Sequence, residues 1–316
     1  MPRSNRLSMK ELLKYFDFRR KKTKYVLSLD GGGVRAIAAL VFLKHLEAAS
    51  GKNIFDIFDF FIGTSAGGIN VLNIGGVGMD SMELEQFWSQ DNLNRTMSKS
   101  FWGTGSFLQT KPKYDGVGKR EVLHHFYKDL SLGESKKPVA VLAYDVEKRK
   151  PRLLSSYDSP GIKMLSAASA TSAAPIYYST QEIDDGSWLI DGGIVANNPS
   201  LLGYSEAKKL FPNHDIKILS IGTGINRRKI NGKNSSKWGA LNWFNHDILG
   251  VMLESSIFHE IAVDLVGENY LRINSPTGLV NRRMDDNSEV NLKRIHLMGM
   301  DWWSEFGGKT TKFLNL

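Results

Sequence analysis

"DFFIGTSAGGIN", residues 59–70, leaves an apolar run through Gly63, sets one serine among small residues and re-enters an apolar stretch. Either the glycines make a plain tight turn, or they clear space around Ser65 so that its hydroxyl can attack something. "FDFFIG" reads as a buried strand and "SAGGINVLNIGG" as the start of a helix, so Ser65 falls at a strand-to-helix corner. The same arrangement stands just upstream. "YVLSLD" (25–30) reads as a buried strand, "GGG" (31–33) as a turn that brings backbone close to something, and "VRAIAALVFLKHLEAAS" (34–50) as a helix stopped by Gly51.

Working outward, residues 80–98 and 117–130 read as helical, with an aromatic-bearing loop, "SFWGTGSFLQTKPKYDG", between them. "KPVAVLAYDVEKRKPRLLSSY" (137–157) predicts two antiparallel strands joined by a charged turn. "IKMLSAASATSAAP" predicts a small-residue helix closed by Pro175, "WLIDGG" a strand ending in a turn, "PSLLGYSEAKKLF" a helix opened by proline, and "DIKILSIGTG" (215–224) another buried strand. Residues 225–240 read as a polar loop, and the rest as helices with one strand in "NYLRIN" (269–274). Strands alternating with helices in this way predict an α/β domain with a mostly parallel sheet covered on both faces.

The 316 residues, 41% hydrophobic and without a low-complexity tract, suit one large globular domain rather than a disordered chain. The apolar stretch "AIAALVF" (36–42) is far short of the roughly 20 residues that span a bilayer. No cysteine is present, so neither disulfides nor thiolate metal sites are available, and the N-terminus lacks an apolar secretory core. A cytoplasmic location is therefore expected. Net charge is +8, and residues 1–24 alone, with nine Lys/Arg against Glu11 and Asp17, carry +7 of it. Such a basic segment, ending in "RRKKTK", suits an anionic membrane, a nucleic acid or a nucleotide, or simply keeps the chain soluble. The organisation expected is thus a basic segment (1–24) followed by a catalytic domain (25–316), with core motifs in 27–224 and a helical extension over 241–316.

"GTSAG" (63–67) fits G-x-S-x-G, in which Gly63 and Gly67 permit the sharp turn that exposes a serine at the end of a sheet. A serine hydroxyl needs a base. None of the seven histidines sits in a glycine-bounded strand end, whereas Asp191 does, in "LIDGG". A tetrahedral intermediate also needs donors for its oxyanion, and "DGGG" (30–33) before a helix offers side-chain-free amides at Gly31, Gly32 and Gly33.

"DGGGVRA" (30–36), "GTSAG" (63–67), "ATSAAP" (170–175) and "DGGIVANNP" (191–199), in this order, resemble the patatin-like phospholipases, calcium-independent lipid acyl hydrolases. The resemblance implies a three-layer α/β/α fold, a Ser65–Asp191 dyad and an oxyanion hole at Gly31–Gly33, with Arg35 helping to set that loop. Ala36 stands where the family usually has glycine. The implied activity is release of fatty acid from glycerophospholipids through an acyl-serine intermediate, at a membrane surface, with no metal or organic cofactor. Some bacterial members are membrane-degrading effectors of antiviral defence switched on by cyclic nucleotides, so a nucleotide activator is compatible with the resemblance.

Other readings compete. Residues 31–36 also satisfy G-x-G-x-x-A with Asp56 some 20 residues on, as a dinucleotide-binding fold requires. A Ser–Asp–His esterase or acyltransferase could recruit His214, His246, His259 or His296, and a non-catalytic lipid-binding module is a third class. "DDNSE" (285–289) could hold a cation, but Asp286 with Glu289 reads better as a helix cap. Trp302 and Trp303 suit either a bilayer interface or internal packing.

Overall fold

The computed structural model describes residues 22–99, 111–227, 229–239, 242 and 257–316. Most of the basic segment, part of the aromatic-bearing loop and His246 lie outside the described residues. Among the described residues eight strands form one sheet: β1 (Thr23–Leu29), β2 (Phe60–Thr64), β3 (Val139–Asp145), β4 (Lys150–Ser155), β5 (Gln181–Glu182), β6 (Trp188–Asp191), β7 (Asp215–Ile221) and β8 (Tyr270–Ile273). Their hydrogen-bonded order is β5-β6-β3-β2-β1-β7-β8, with β4 also pairing β3. The run β3-β2-β1-β7-β8 is parallel throughout, and β4, β5 and β6 add antiparallel pairs at one side.

The central strands are apolar on both sides because both faces are covered. Leu27, Leu29, Phe61, Val139, Val141, Leu219 and Ile221 point into one large core. Their neighbours Val26, Phe60, Ile62, Ala140, Ile216 and Ile218 point into a second, smaller one, the period-two alternation of a strand. Over the first face lie α1 (Ile37–Ser50), α2 (Ser65–Val71, continuing as a π turn to Val77), α3 (Ser81–Phe87), α4 (Gln90–Thr96), α5 (Val117–Tyr127) and α6 (Met164–Thr171). Over the second lie α7 (Ser200–Leu210) and α8 (Ile257–Val266). The last helix, α9 (Glu289–Leu314), returns to the first face. The result is the three-layer α/β/α arrangement with a mostly parallel sheet.

Several elements differ from the sequence reading. Residues 80–98 form two helices, because Ser89 caps a fresh one by accepting from Asn92 N at 3.4 Å. α6 ends at Thr171, four residues before Pro175. The polar stretch 225–240 contains one helical turn, Gly232–Ser235. The strand read in "NYLRIN" forms as β8, which lengthens the parallel sheet beside β7, and α9 packs along α1. The cap of α9 is Ser288, not Asp286; Asp286 instead accepts from Asn281 Nδ2 at 2.7 Å, and Glu289 pairs with Lys293. Trp302 is 1% exposed and Trp303 stacks on His45, so both serve internal packing.

Candidate active site

The register of β3 sets the geometry. β4 occupies one edge of β3 along residues 140–145. The other edge is therefore shared by β2, paired up to Thr64↔Leu142, and β6, paired from Asp191↔Ala143. β2 and β6 run towards each other along that edge, and their C-terminal ends meet at adjacent rungs. Two residues 126 apart in sequence are thereby brought together: Ser65 Oγ donates to Asp191 Oδ2 at 2.6 Å.

Ser65 has φ +55°, left-handed backbone that a non-glycine residue rarely adopts. That strain is the sharp corner, and it persists because the surroundings fix it. A Cβ on Gly63 would strike the Gly67 carbonyl, and one on Gly67 the carbonyls of Leu29 and Asp30. The Ser65 amide donates to Thr171 Oγ1 at 3.0 Å, and that hydroxyl donates to the Leu142 carbonyl at 2.5 Å. Thr171 thus bolts the corner to β3. Asp191 is held by its own neighbours: Oδ1 accepts from Gly193 N at 2.8 Å, and its amide donates to the Ala173 carbonyl at 3.0 Å.

The glycine loop after β1 is fixed on both flanks. The Gly31 amide donates to the Asn197 carbonyl at 3.2 Å, and its carbonyl accepts from Thr223 Oγ1 at 2.8 Å and Asn197 Nδ2 at 3.2 Å. The Val34 amide donates to the Met284 carbonyl at 2.9 Å. Among the described residues the Gly32 and Gly33 amides carry no hydrogen bond, and both glycines line the same cleft as Ser65. Gly31, grouped with them in the sequence reading, is an anchor whose amide is already used. Gly33 must be glycine, with φ +57° and the Met284 carbonyl where a Cβ would stand. Arg35 is buried in the tight turn that follows, its amide closing on the Gly32 carbonyl at 3.2 Å. Ala36 is right-handed helical (φ −63°) and 1% exposed, so glycine is not required there.

Beneath the loop, Asp30 pairs with Arg272 of β8, whose Nη1 also donates to Ser220 Oγ at 2.7 Å. Burial pushes the Asp30 carboxyl up while Arg272 opposes it. Burial likewise pushes the Asp191 carboxyl up, to about 6, against the Ser65 hydroxyl, the Gly193 amide and the charge of Lys119. The cleft walls are largely apolar, with Val34, Ile69, Trp88, Leu93, Tyr177 and Ile194 among them.

The described histidines do not gather here. His214 precedes β7 and so lies at the opposite end of the parallel strands from the site, His259 meets Tyr270 OH at 3.3 Å, and His296 is exposed on α9. No histidine lines the cleft among the described residues. Asp56 is exposed on the helical turn Ile54–Ile57, before β2, at the far end from the glycine loop, where it cannot meet a ribose bound there. Asp285, within the suspected cation stretch, is instead ion-paired with Lys113 and accepts from Tyr114 OH at 2.7 Å at the cleft wall.

A family model described as "Patatin-like phospholipase" matches residues 27–202, a span that contains all four motifs and the Ser65–Asp191 contact. The chain belongs to the patatin-like phospholipase family. Relatives that span most of it include "Patatin-like protein 2" of Arabidopsis thaliana, 27% identical over 80% of this chain and 75% of the relative. The "cGAMP-activated phospholipase" of Pseudomonas aeruginosa is 30% identical over 79% of this chain and 78% of the relative. Among solved structures, VipD from Legionella pneumophila superimposes with a TM-score of 0.53 at 15% identity, over 94% of this chain and 67% of that one, a likeness of fold. As a patatin-like phospholipase, the chain places motif residues that had no role in the sequence reading. Thr171 of "ATSAAP" steadies the serine and Asn197 of "DGGIVANNP" anchors the glycine loop.

Proposed function

We propose that the protein hydrolyses fatty-acyl esters of membrane glycerophospholipids with a Ser65–Asp191 dyad. The observation that carries this is the 2.6 Å hydrogen bond from Ser65 Oγ to Asp191, in an apolar cleft with no histidine among the described residues that line it. As Ser65 Oγ attacks the ester carbonyl carbon, its proton passes to Asp191 Oδ2, a general-base contribution of about 10²–10⁴-fold. The carbonyl oxygen gathers charge beside the Gly32 and Gly33 amides, each such donor being worth about 10²–10³ in rate. Collapse expels the alcohol, which takes the proton from Asp191, and leaves an acyl-serine. Water then attacks, giving its proton to Asp191, and Ser65 leaves with that proton as the fatty acid is freed. Arg35 supports the glycine-loop turn, and Gly63 and Gly67 form the corner.

The experiment is hydrolysis of phospholipid vesicles by wild type, Ser65→Ala and Asp191→Ala, each checked for folding by circular dichroism. Both variants should lose at least about 10³-fold, and together no more than either alone, because the two residues act as one unit. Full activity in either would overturn the reading. The likeness to the cGAMP-activated phospholipase of Pseudomonas supports nucleotide gating as a finer reading, with an effector role in antiviral defence proposed beside it. Repeating the assay with a cyclic-dinucleotide panel tests it, with stimulation expected from at least one member.

A further inference from the structure

We propose that Lys119 is a positioning residue for the Ser65–Asp191 pair: its buried ammonium clamps the end of the helix that holds the serine and places a positive charge beside the aspartate. The proposal deepens the hydrolase reading and rests on it.

Lysine is almost never fully buried unless paired, and the first turn of a helix is a poor place for a cation. Lys119 nonetheless stands in the first turn of α5 and is 6% exposed. Its ammonium donates to the Ser172 carbonyl at 2.9 Å and the Ser169 carbonyl at 3.4 Å, and lies 4.2 Å from the centre of the Tyr178 ring. Those carbonyls belong to the C-terminal end of α6, where the helix dipole favours a cation. Between them sits Thr171, which holds the Ser65 amide, and just beyond is Ala173, whose carbonyl holds the Asp191 amide. One ammonium therefore fixes the segment that touches both members of the dyad.

No carboxylate forms a salt bridge with Lys119 among the described residues; the acid whose charge it feels is Asp191, and both line the cleft. Among the described residues, the other titratable groups lining the cleft with it are Tyr114, Tyr177, Tyr178 and Asp285, and Asp115 and Arg120 line a hollow on its outer side. Burial pushes the Lys119 amine down to about 7, so it is mostly charged through the lower part of the range in which Asp191 ionises, near 6. Removing that charge leaves burial less opposed at Asp191, and the acid limb of activity moves to higher pH.

The test is the pH profile of kcat/KM for a soluble short-chain nitrophenyl ester, with wild type, Lys119→Met, Lys119→Gln and Lys119→Arg. The methionine and glutamine variants should lose about tenfold or more in kcat with KM little changed, as misplacement of reacting groups does. Their acid limbs should move up by roughly half to one pH unit. The arginine variant, which keeps the charge, should hold the wild-type limb and regain most of the rate. An unmoved limb in the folded neutral variants, or the same limb with glutamine and arginine, overturns the proposal. If Lys119→Met does not fold, the glutamine–arginine comparison decides alone. Ser65→Ala is run in parallel, and turnover surviving in it sinks the hydrolase reading instead, whatever the Lys119 profiles show.

Discussion

At the scale of single residues, the site combines two costs the surrounding fold sustains: a serine in left-handed backbone and a carboxylate withheld from water. The Asp191 value near 6 lies above the ordinary 3.8 because burial disfavours the charged form. Activity that needs the carboxylate should therefore fall as pH drops through about 6. Stability runs the other way. The folded state holds the proton where the unfolded chain has lost it, so ionising Asp191 costs stability as pH rises from about 4 to about 6 and the loss persists above. Asp191→Asn removes that cost while keeping the shape. We expect it to be inactive yet to melt above wild type at pH 8, by an amount worth roughly 1–3 kcal/mol, with the gap closing towards pH 4. Thermal melts at the two pH values check this; a variant that melts below wild type at pH 8 contradicts it.

At the scale of elements, the decisive feature is that β2 and β6 end head to head on one edge of β3. Thr171 joins this junction to α6 through two hydrogen bonds. Thr171→Val keeps the volume but leaves the Ser65 amide and the Leu142 carbonyl unpaired, costing about 2–4 kcal/mol. It should also lower kcat by loosening the corner, whereas Thr171→Ser should restore both; chemical denaturation and steady-state kinetics measure the pair. The strand-turn-helix units were legible because Leu27, Phe61 and their neighbours are apolar in short runs ended by glycine, and the geometry of such turns is local. The clamps were not legible in the same way. Lys119 and Ser172 are 53 residues apart, and Tyr114 and Asp285 171 apart, so nothing in either neighbourhood announces the other. The cap of α9 was misplaced by two residues because Asp286 and Ser288 are both good caps, and Asn281 takes the side chain of the former. The register that unites Ser65 with Asp191 was likewise invisible: "LIDGG" marks a strand end but not which strand it faces.

At the scale of the whole molecule, the helical face over α1 is sealed by α9, with Trp302 buried between them. Trp302→Ala should cost about 3–5 kcal/mol and weaken the sheet's cover rather than the chemistry, readable as a lowered denaturation midpoint with near-wild-type kcat below it. Among the described residues no helix is long and apolar enough to cross a membrane. The net +7 of residues 1–24 is our candidate for surface attachment, at about 1 kcal/mol per cation near an anionic bilayer. Binding to anionic vesicles should weaken with salt and on neutralising residues 19–24, while turnover of a soluble ester stays unchanged; equal sedimentation by both forms would contradict it. Activation of a serine by an aspartate without histidine can be read out by reaction with an alkyl fluorophosphonate followed by peptide mass spectrometry. One adduct should form, on Ser65, at wild-type rate when His214, His246, His259 or His296 is replaced and at least about 10³-fold more slowly in Asp191→Ala. An adduct elsewhere, or a folded histidine variant in which labelling stops, would contradict it.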